Sequence, residues 1–280
     1  MPKIRLGLIG DNIRASRSPD LHRLAGVMTG LDVSYDLFIP PAMGMAFDTV
    51  LENCRRDGLV GVNITLPYKE RVVSLVRIDD PAIVRIGSAN TVRFTDRGAR
   101  GFNTDYSGFV SAYRHAFGTA GPGRVALIGA GGVGRAIAFG LLALKADEIV
   151  LVDTDQVRAG ALATTLSADG VARVRIAGIE ALAQADGVVN ATPLGMVGYP
   201  GSPVPEGMFP RDGWAFDAVY TPVTTPFRAQ ALAAGARFLS GWELFFFQGI
   251  DAFEIFTGYR PDDLPALRRA LGDPGLRIAS

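Results

Sequence analysis

The stretch GVNITLPYKE, residues 61–70, places an amide, a hydroxyl and an ammonium beside a strand-like run, in Asn63, Thr65 and Lys69. Amides and hydroxyls both donate and accept hydrogen bonds, and a lysine can give or take a proton. That set suits a small hydroxylated molecule whose alcohol is oxidised or whose ketone is reduced. Similar residues follow other strand-like segments: Ser16 and Ser18 in DNIRASRSPDLH, Asn90 and Thr91 in GSANT, and Asp105 in GFNTDYSG. Ligands of open α/β sheets bind beyond the carboxyl ends of the strands. Each residue also has a plain structural reading. Ser18 before Pro19 has the form of an N-cap followed by Pro at N1. Lys69, next to Glu70 and Arg71, reads equally as a solvated lysine on a short helix, and single polar residues at strand ends commonly form turns.

A second pattern is GAGGVG, Gly129 to Gly134, which follows the strand-like RVALI and opens the helical GRAIAFGLLAL. In that context G-x-G-x-x-G cradles a dinucleotide pyrophosphate. Gly129 allows the tight turn, Gly131 and Gly132 leave room for phosphate, and Gly134 lets the helix pack close to its strand. The helix N-terminus then turns N–H groups and a positive dipole end toward the anion. Asp153 ends the next strand, at the spacing of roughly 20 residues where an acid meets the adenosine ribose. A carboxylate there favours NAD over NADP. Arg158 lies nearby and reads as an exposed residue of the following helix. Thr192 and Met196, in ATPLGM, fall at another carboxyl edge, where a plain βα loop is the simpler account.

These residues need a framework, and the rest of the chain supplies one. Strands are expected at 4–10, 33–39, 59–65, 124–129, 148–153, 171–176, 187–193 and 214–220, with an edge strand at 236–241. In 59–65, Val62 and Ile64, continued by Leu66, form one face, and Pro67 stops the strand. Helices are expected from Ser18 to about Leu31, over 41–57, after Pro67, near 106–117 and over GWELFFFQGIDAFEIFTG and PALRRALG. The βαβα rhythm predicts an α/β protein with mainly parallel sheets. GTAGPG, residues 118–123, reads as a turn or linker between two such units. Lys plus Arg equals Asp plus Glu at 28 each, which argues against nucleic acid as a partner. No run approaches the ~18 apolar residues of a spanning helix, so no membrane partner is expected. Cys54 is the single cysteine, which fits a reducing, cytoplasmic setting. Two scattered histidines, His22 and His115, form no zinc-ligand cluster, and no metal site is expected.

Taken together, GDNIRASRSPDLH, GVNITLPYKE, GSANTV, GFNTDYSG, GAGGVGRA, NATPLGM, FDAVYTPVTTP and ELFFFQGIDAFEIFTG resemble the shikimate dehydrogenase family, including its quinate/shikimate branch, over residues 7 to about 258. The resemblance implies a substrate domain at 1–108 completed by 241–280, and a Rossmann dinucleotide-binding domain at 109–240. It implies Lys69 and Asp105 as the catalytic pair. Lys69 then acts either as the proton acceptor itself or, with Asp105, as the group that orients the hydroxyl. It further implies that Ser16 and Ser18 hold the substrate carboxylate, that Thr65, Asn90, Asp105 and Gln248 hold ring hydroxyls, and that Tyr220 lines the site near the carboxylate. Asn63 is a weaker contact. The implied partner is a small cyclic hydroxy acid, and the implied assembly a monomer or homodimer. The sequence departs from the family pattern at VDTDQ, where NADP-dependent members carry an Asn-Arg-Thr type motif, which points to NAD. It departs also at GSANT and at Tyr106, a bulky residue beside Asp105 that bears on substrate identity. Another polyol acid as substrate, or a silent NAD-binding sensor, are the alternative readings.

Overall fold

The structure is a computed structural model and describes residues 3–168, 170 and 173–272. The chain divides into two compact units, Met1–Ser107 with Phe246–Ser280, and Gly108–Phe245. The first unit begins with β1 (Ile4–Ile9), α1 (Ser18–Met28), β2 (Val33–Phe38), α2 (Pro40–Met43), α3 (Phe47–Arg56) and β3 (Gly61–Ile64). It continues with α4 (Pro81–Ile86), β4 (Thr91–Thr95) and β5 (Gly98–Phe102). Its sheet has the order β2-β1-β3-β4-β5. β1, β2 and β3 pair in parallel, whereas β4 is antiparallel to both β3 and β5. The short turn between Thr95 and Gly98, with Gly98 at φ +109°, makes a hairpin there, and hairpins force antiparallel pairing. This sheet is therefore mixed rather than parallel throughout.

Both faces of the sheet are covered. On one, Phe47, Val50, Leu51 and Cys54 of α3 pack with Ile9, Val62 and Ile64. On the other, Leu6, Leu8 and Tyr35 pack with Ala252 and Phe256 from the C-terminal part of the chain. β3 is consequently buried at all four positions, Asn63 included. Leu66 does not extend its apolar face: it lies beyond the strand and is 72% exposed.

α5 (Thr104–Phe117) starts in the first unit and runs into the second. The second unit holds β6 (Arg124–Ile128), α6 (Gly132–Ala143), β7 (Glu148–Val152), α7 (Gln156–Ser167), β8 (Arg173–Ile176), β9 (Gly187–Asn190), β10 (Trp214–Asp217), α8 (Pro226–Ala233) and β11 (Arg237–Ser240). The sheet order is β11-β10-β9-β6-β7-β8, with every pairing parallel. This is the doubly wound arrangement, and the strand order reverses between β6 and β9. α9 (Gly241–Thr257) returns to the first unit, where α10 (Leu264–Leu271) follows. Among the described residues no helix is long and apolar enough to cross a membrane.

Several local expectations change. The helix expected over 41–57 is two, α2 and α3, because Gly44 takes a left-handed conformation at φ +64° and ends the first. The helix after Pro67 is a short 3-10 segment, Arg71–Leu75. α1 ends at Met28, before Leu31. α4 was not expected, although Asp80 before Pro81 signals it: the Asp80 carboxylate accepts from Ala82 N. Of the weak strand at 171–176, positions 171 and 172 lie outside the described residues.

Candidate functional site

Lys69 follows β3 and the cis Leu66–Pro67 bond, and its carbonyl accepts from Ala89 N at 2.8 Å. Its Nζ donates to Asp105 Oδ2 at 2.6 Å, with the two side chains only 13% and 9% exposed. Asp105 lies in the first turn of α5, where the helix dipole favours an anion. Asn103 holds that turn: its Oδ1 accepts from Tyr106 N at 3.0 Å and its Nδ2 donates to Ser88 O at 2.9 Å. The pair is short, charge-assisted and largely withdrawn from water, which is the setting for a controlled proton transfer.

Next to it, Asn90 Oδ1 accepts from Thr104 N at 2.7 Å, and Asn90 Nδ2 donates to Gln248 Oε1 at 3.2 Å. Gln248 comes from the apolar helix α9 and finds its partners in Asn90 and, at 3.4 Å, the Thr104 hydroxyl. Thr65 sits just past β3 with its methyl over Gly10, where an added Cβ would come within 2.3 Å of it. Ser18 is not the N-cap. α1 starts at Ser18, and Arg17 occupies the cap position without a side-chain cap bond. Pro19 therefore stands one place further into the helix than expected. It is Ser16 Oγ that accepts from Ser18 N, at 3.2 Å, and Ser16 Oγ also donates to Ser18 Oγ at 3.2 Å.

Sequence reasoning missed the buried partners behind these residues. Tyr35 donates its hydroxyl to Asn63 Oδ1 at 2.8 Å. Burial raises the Tyr35 pKa, and a hydrogen bond from Ser18 lowers it in part. His22 is fully buried, stacked on the Tyr35 ring at 4.7 Å and flanked by Phe253 and Phe256. Burial pulls its pKa down to about 3, against a smaller upward pull from its hydrogen bond to Asn63. The ring is neutral at pH 7, and its Nδ1 has no partner among the described residues. A His on an otherwise apolar helix face was the available signal, but nothing local tied it to Tyr35 or Asn63.

In the second unit, Gly129 turns the chain after β6 at φ +100°. A Cβ on Gly134 would stand 2.0 Å from Gly129 O, so only glycine permits this packing. Cβ atoms on Gly131 or Gly132 would meet nothing within 4 Å. Gly131 caps α6 without a side-chain bond, which leaves first-turn N–H groups free to meet an anion. Asp153 Oδ2 accepts from Ala130 N at 2.7 Å and Oδ1 from Asp155 N at 2.8 Å. Each oxygen keeps a lone pair for a ribose hydroxyl. Arg158 is exposed and paired with Asp155 at 3.3 Å. The residues present fit a dinucleotide.

The loop after β9 is held from below. Asn190 Oδ1 accepts from Thr192 N at 2.9 Å and from the Thr192 hydroxyl at 2.7 Å, and Asn190 Nδ2 donates to Asp217 at 2.9 Å. Asp217 also accepts from Thr225 Oγ1 at 2.6 Å and Val219 N at 3.0 Å. Burial pushes its pKa up to about 6, with these three donors pulling it down. The Thr192 methyl lies beside Gly129, and Met196 is 45% exposed. Tyr220 stacks on Phe245 at 5.5 Å, within this same unit.

A family model described as the shikimate dehydrogenase substrate binding domain matches residues 8–92. A quinate/shikimate dehydrogenase (NAD(+)) of Corynebacterium efficiens is 36% identical over 269 residues, which cover 92% of this chain and 94% of that protein. The chain belongs to the shikimate dehydrogenase family. Members of the family differ in the dinucleotide they are named for. A shikimate dehydrogenase (NADP(+)) of Streptomyces avermitilis is 38% identical over 270 residues, 94% of this chain and 93% of its own. Among solved family structures, quinate dehydrogenase from Corynebacterium glutamicum in complex with NAD matches with a TM-score of 0.89 and 34% identity, covering 96% of this chain and 99% of that one.

Proposed function

We propose that this chain is a NAD-dependent dehydrogenase that reversibly oxidises shikimate, quinate or both to the 3-dehydro ketone. The observation that carries the reading is the withdrawn Lys69–Asp105 pair at 2.6 Å, set beside the Asn90–Gln248 amides in a chain of this family. When bound, the dinucleotide takes up the hydride. The residues of the chain do the rest. Lys69 removes the hydroxyl proton of the substrate in oxidation and returns it in reduction. Asp105 holds the Lys69 ammonium and orients the reacting hydroxyl. Ser16 and Ser18 hold the carboxylate, Tyr220 lines the site near it, and Thr65, Asn90 and Gln248 hold the ring hydroxyls. Gly129, Gly131, Gly132 and Gly134 receive the pyrophosphate, Asp153 the ribose, and Thr192 and Met196 the nicotinamide end.

Asp153 supports NAD over NADP, since its carboxylate would repel a 2′-phosphate. Arg158, the nearby cation, is engaged with Asp155. Initial rates with shikimate and quinate, each with NAD⁺ and NADP⁺, at about pH 7.5 and about pH 9, test the reading. NAD⁺ reduction with either acid is expected, and the ratio of kcat/KM names the better substrate. Preference for NADP⁺ overturns the cofactor assignment. Turnover of neither acid by folded, NAD-binding protein overturns the substrate assignment.

A further inference from the structure

Behind the ring-hydroxyl contacts lies a line of buried polar groups whose hydrogens all point one way. Two backbone groups fix the direction. Thr104 N can only donate, so the Asn90 atom facing it at 2.7 Å is Oδ1, and Asn90 Nδ2 must face Gln248. The Asn90 carbonyl can only accept, so the Asn63 atom facing it at 3.3 Å is Nδ2, and Asn63 Oδ1 must face Tyr35. Asn63 Nδ2 also donates to Thr91 Oγ1 at 3.0 Å, so the Thr91 proton is sent onward, to Asn90 Oδ1 or Thr104 Oγ1, each at 3.2 Å. Thr104 Oγ1 in turn reaches Asn90 Oδ1 at 3.1 Å and Gln248 Oε1 at 3.4 Å. Every step carries a donor toward α9.

We propose that Tyr35 and Asn63 are positioning residues that start this one-way relay, so that Gln248 spends its Oε1 inside the protein and meets the substrate only as a donor, through Nε2. Asn63, Thr91 and Thr104 are 8%, 0% and 1% exposed, so none of them has water as an alternative partner. Gln248 is half-buried, and its Nε2 donates to nothing among the described residues. A ring hydroxyl at Gln248 is then held as an acceptor and keeps its own hydrogen for a second contact. A carbonyl oxygen would be accepted there as well, whereas a group that can only donate would be refused.

The proposal rests on the substrate reading above for its kinetic test but not for its structural one. In ligand-free protein labelled with ¹⁵N at Asn and Gln, the side-chain NH₂ protons of Asn63 and Asn90 should exchange slowly and those of Gln248 fast. Protected Gln248 protons with exposed Asn90 protons overturn the relay, whatever the substrate proves to be. In kinetics, Asn63→Leu should raise KM for the hydroxy acid about tenfold, the loss of one well-made hydrogen bond, with KM for the dinucleotide unmoved. Gln248→Ala should do the same, and the double variant no more than Gln248→Ala alone. Additive effects, or a lower Tm with KM unchanged, assign Asn63 a purely structural role and overturn the proposal. Tyr35→Phe, which removes only a hydroxyl, is the milder variant should Asn63→Leu fail to fold. It should give a smaller KM increase that again vanishes on the Gln248→Ala background. Gln248→Glu, which swaps the outward donor for an acceptor, should weaken binding at least as much as Gln248→Ala. Equal or tighter binding by that variant contradicts donor-only recognition. Failure of the wild type to turn over either acid breaks the substrate reading and leaves the exchange pattern as the deciding result.

Discussion

The two units of the molecule start alike and diverge at one turn. Each opens with a buried strand ending in glycine, Gly10 after β1 and Gly129 after β6. In the first unit the space over that glycine is filled by the protein itself: a Cβ on Gly10 would meet Thr65 at 2.3 Å and Ile13 at 2.9 Å. In the second, the glycines that follow, Gly131 and Gly132, face open space. The first unit therefore offers side chains, and the second offers backbone N–H groups. A hydroxylated ring needs partners of set direction at set points. A pyrophosphate needs close approach and a positive field. One α/β layout serves both by filling or vacating the same turn.

Four outcomes would sharpen or break this contrast. The largest effect is expected at the first unit's ion pair. Lys69→Ala should lower kcat/KM about 10³-fold, within the span of general acid–base contributions, while NAD binding measured by fluorescence stays intact. Retention of a tenth of the activity would reduce Lys69 to an orienting group.

Next come two buried titrations of opposite sign. His22 has its pKa lowered to about 3 from 6.5, so the unfolded chain takes up a proton first and stability falls as pH drops from about 6.5 toward 3. Asp217 has its pKa raised to about 6 from 3.8, so it favours the folded state below about pH 4 and that contribution is lost as pH rises through 6. Each shift corresponds to roughly 3–5 kcal/mol at most, and over much of the range they offset one another. Asp217→Asn should unmask a steep acid limb in urea melts, and His22→Phe should unmask the reverse slope. Identical profiles for both variants would break the assignment.

A third, smaller effect separates the glycines. Gly134→Ala should cost about 1–3 kcal/mol of stability because its Cβ meets backbone, read as a lower Tm. Gly131→Ala should leave Tm in place and weaken NAD binding. The smallest change is in cofactor choice: Asp153→Asn should shift the NADP⁺ to NAD⁺ preference about tenfold by removing one repulsive charge, read as the ratio of kcat/KM. An unchanged ratio would move the determinant elsewhere.

How far the sequence alone reaches follows from the range of the interactions. The glycine turn, Asp153 and the alternation of strands and helices are local patterns with fixed spacing, and they are legible. Asp80 before Pro81 was legible too and went unread. The relay behind the site was not, because Tyr35, Asn63, Asn90 and Gln248 meet only through pairing of β1, β2 and β3 and the return of α9. Asp217 at the end of WAFD looks like any strand-end acid until Asn190 and Thr225 are seen to converge on it. Ser18 misled because the S-P pair imitates a cap, whereas Arg17 holds that place. Leu66 misled because alternation was carried one step past the last paired residue.

The return of α9 into the first unit has a consequence for how the chain comes off the ribosome. The second unit is one uninterrupted stretch, and it can close while the rest is still being made. The first cannot: Ala252 and Phe256, which seal its sheet over Tyr35, and Gln248, the end of the relay, are among the last parts of the fold to emerge. Synthesis thus completes the glycine turn before the side-chain site exists, and a chain halted at Phe245 would carry Lys69 and Asp105 with one wall of their unit unbuilt.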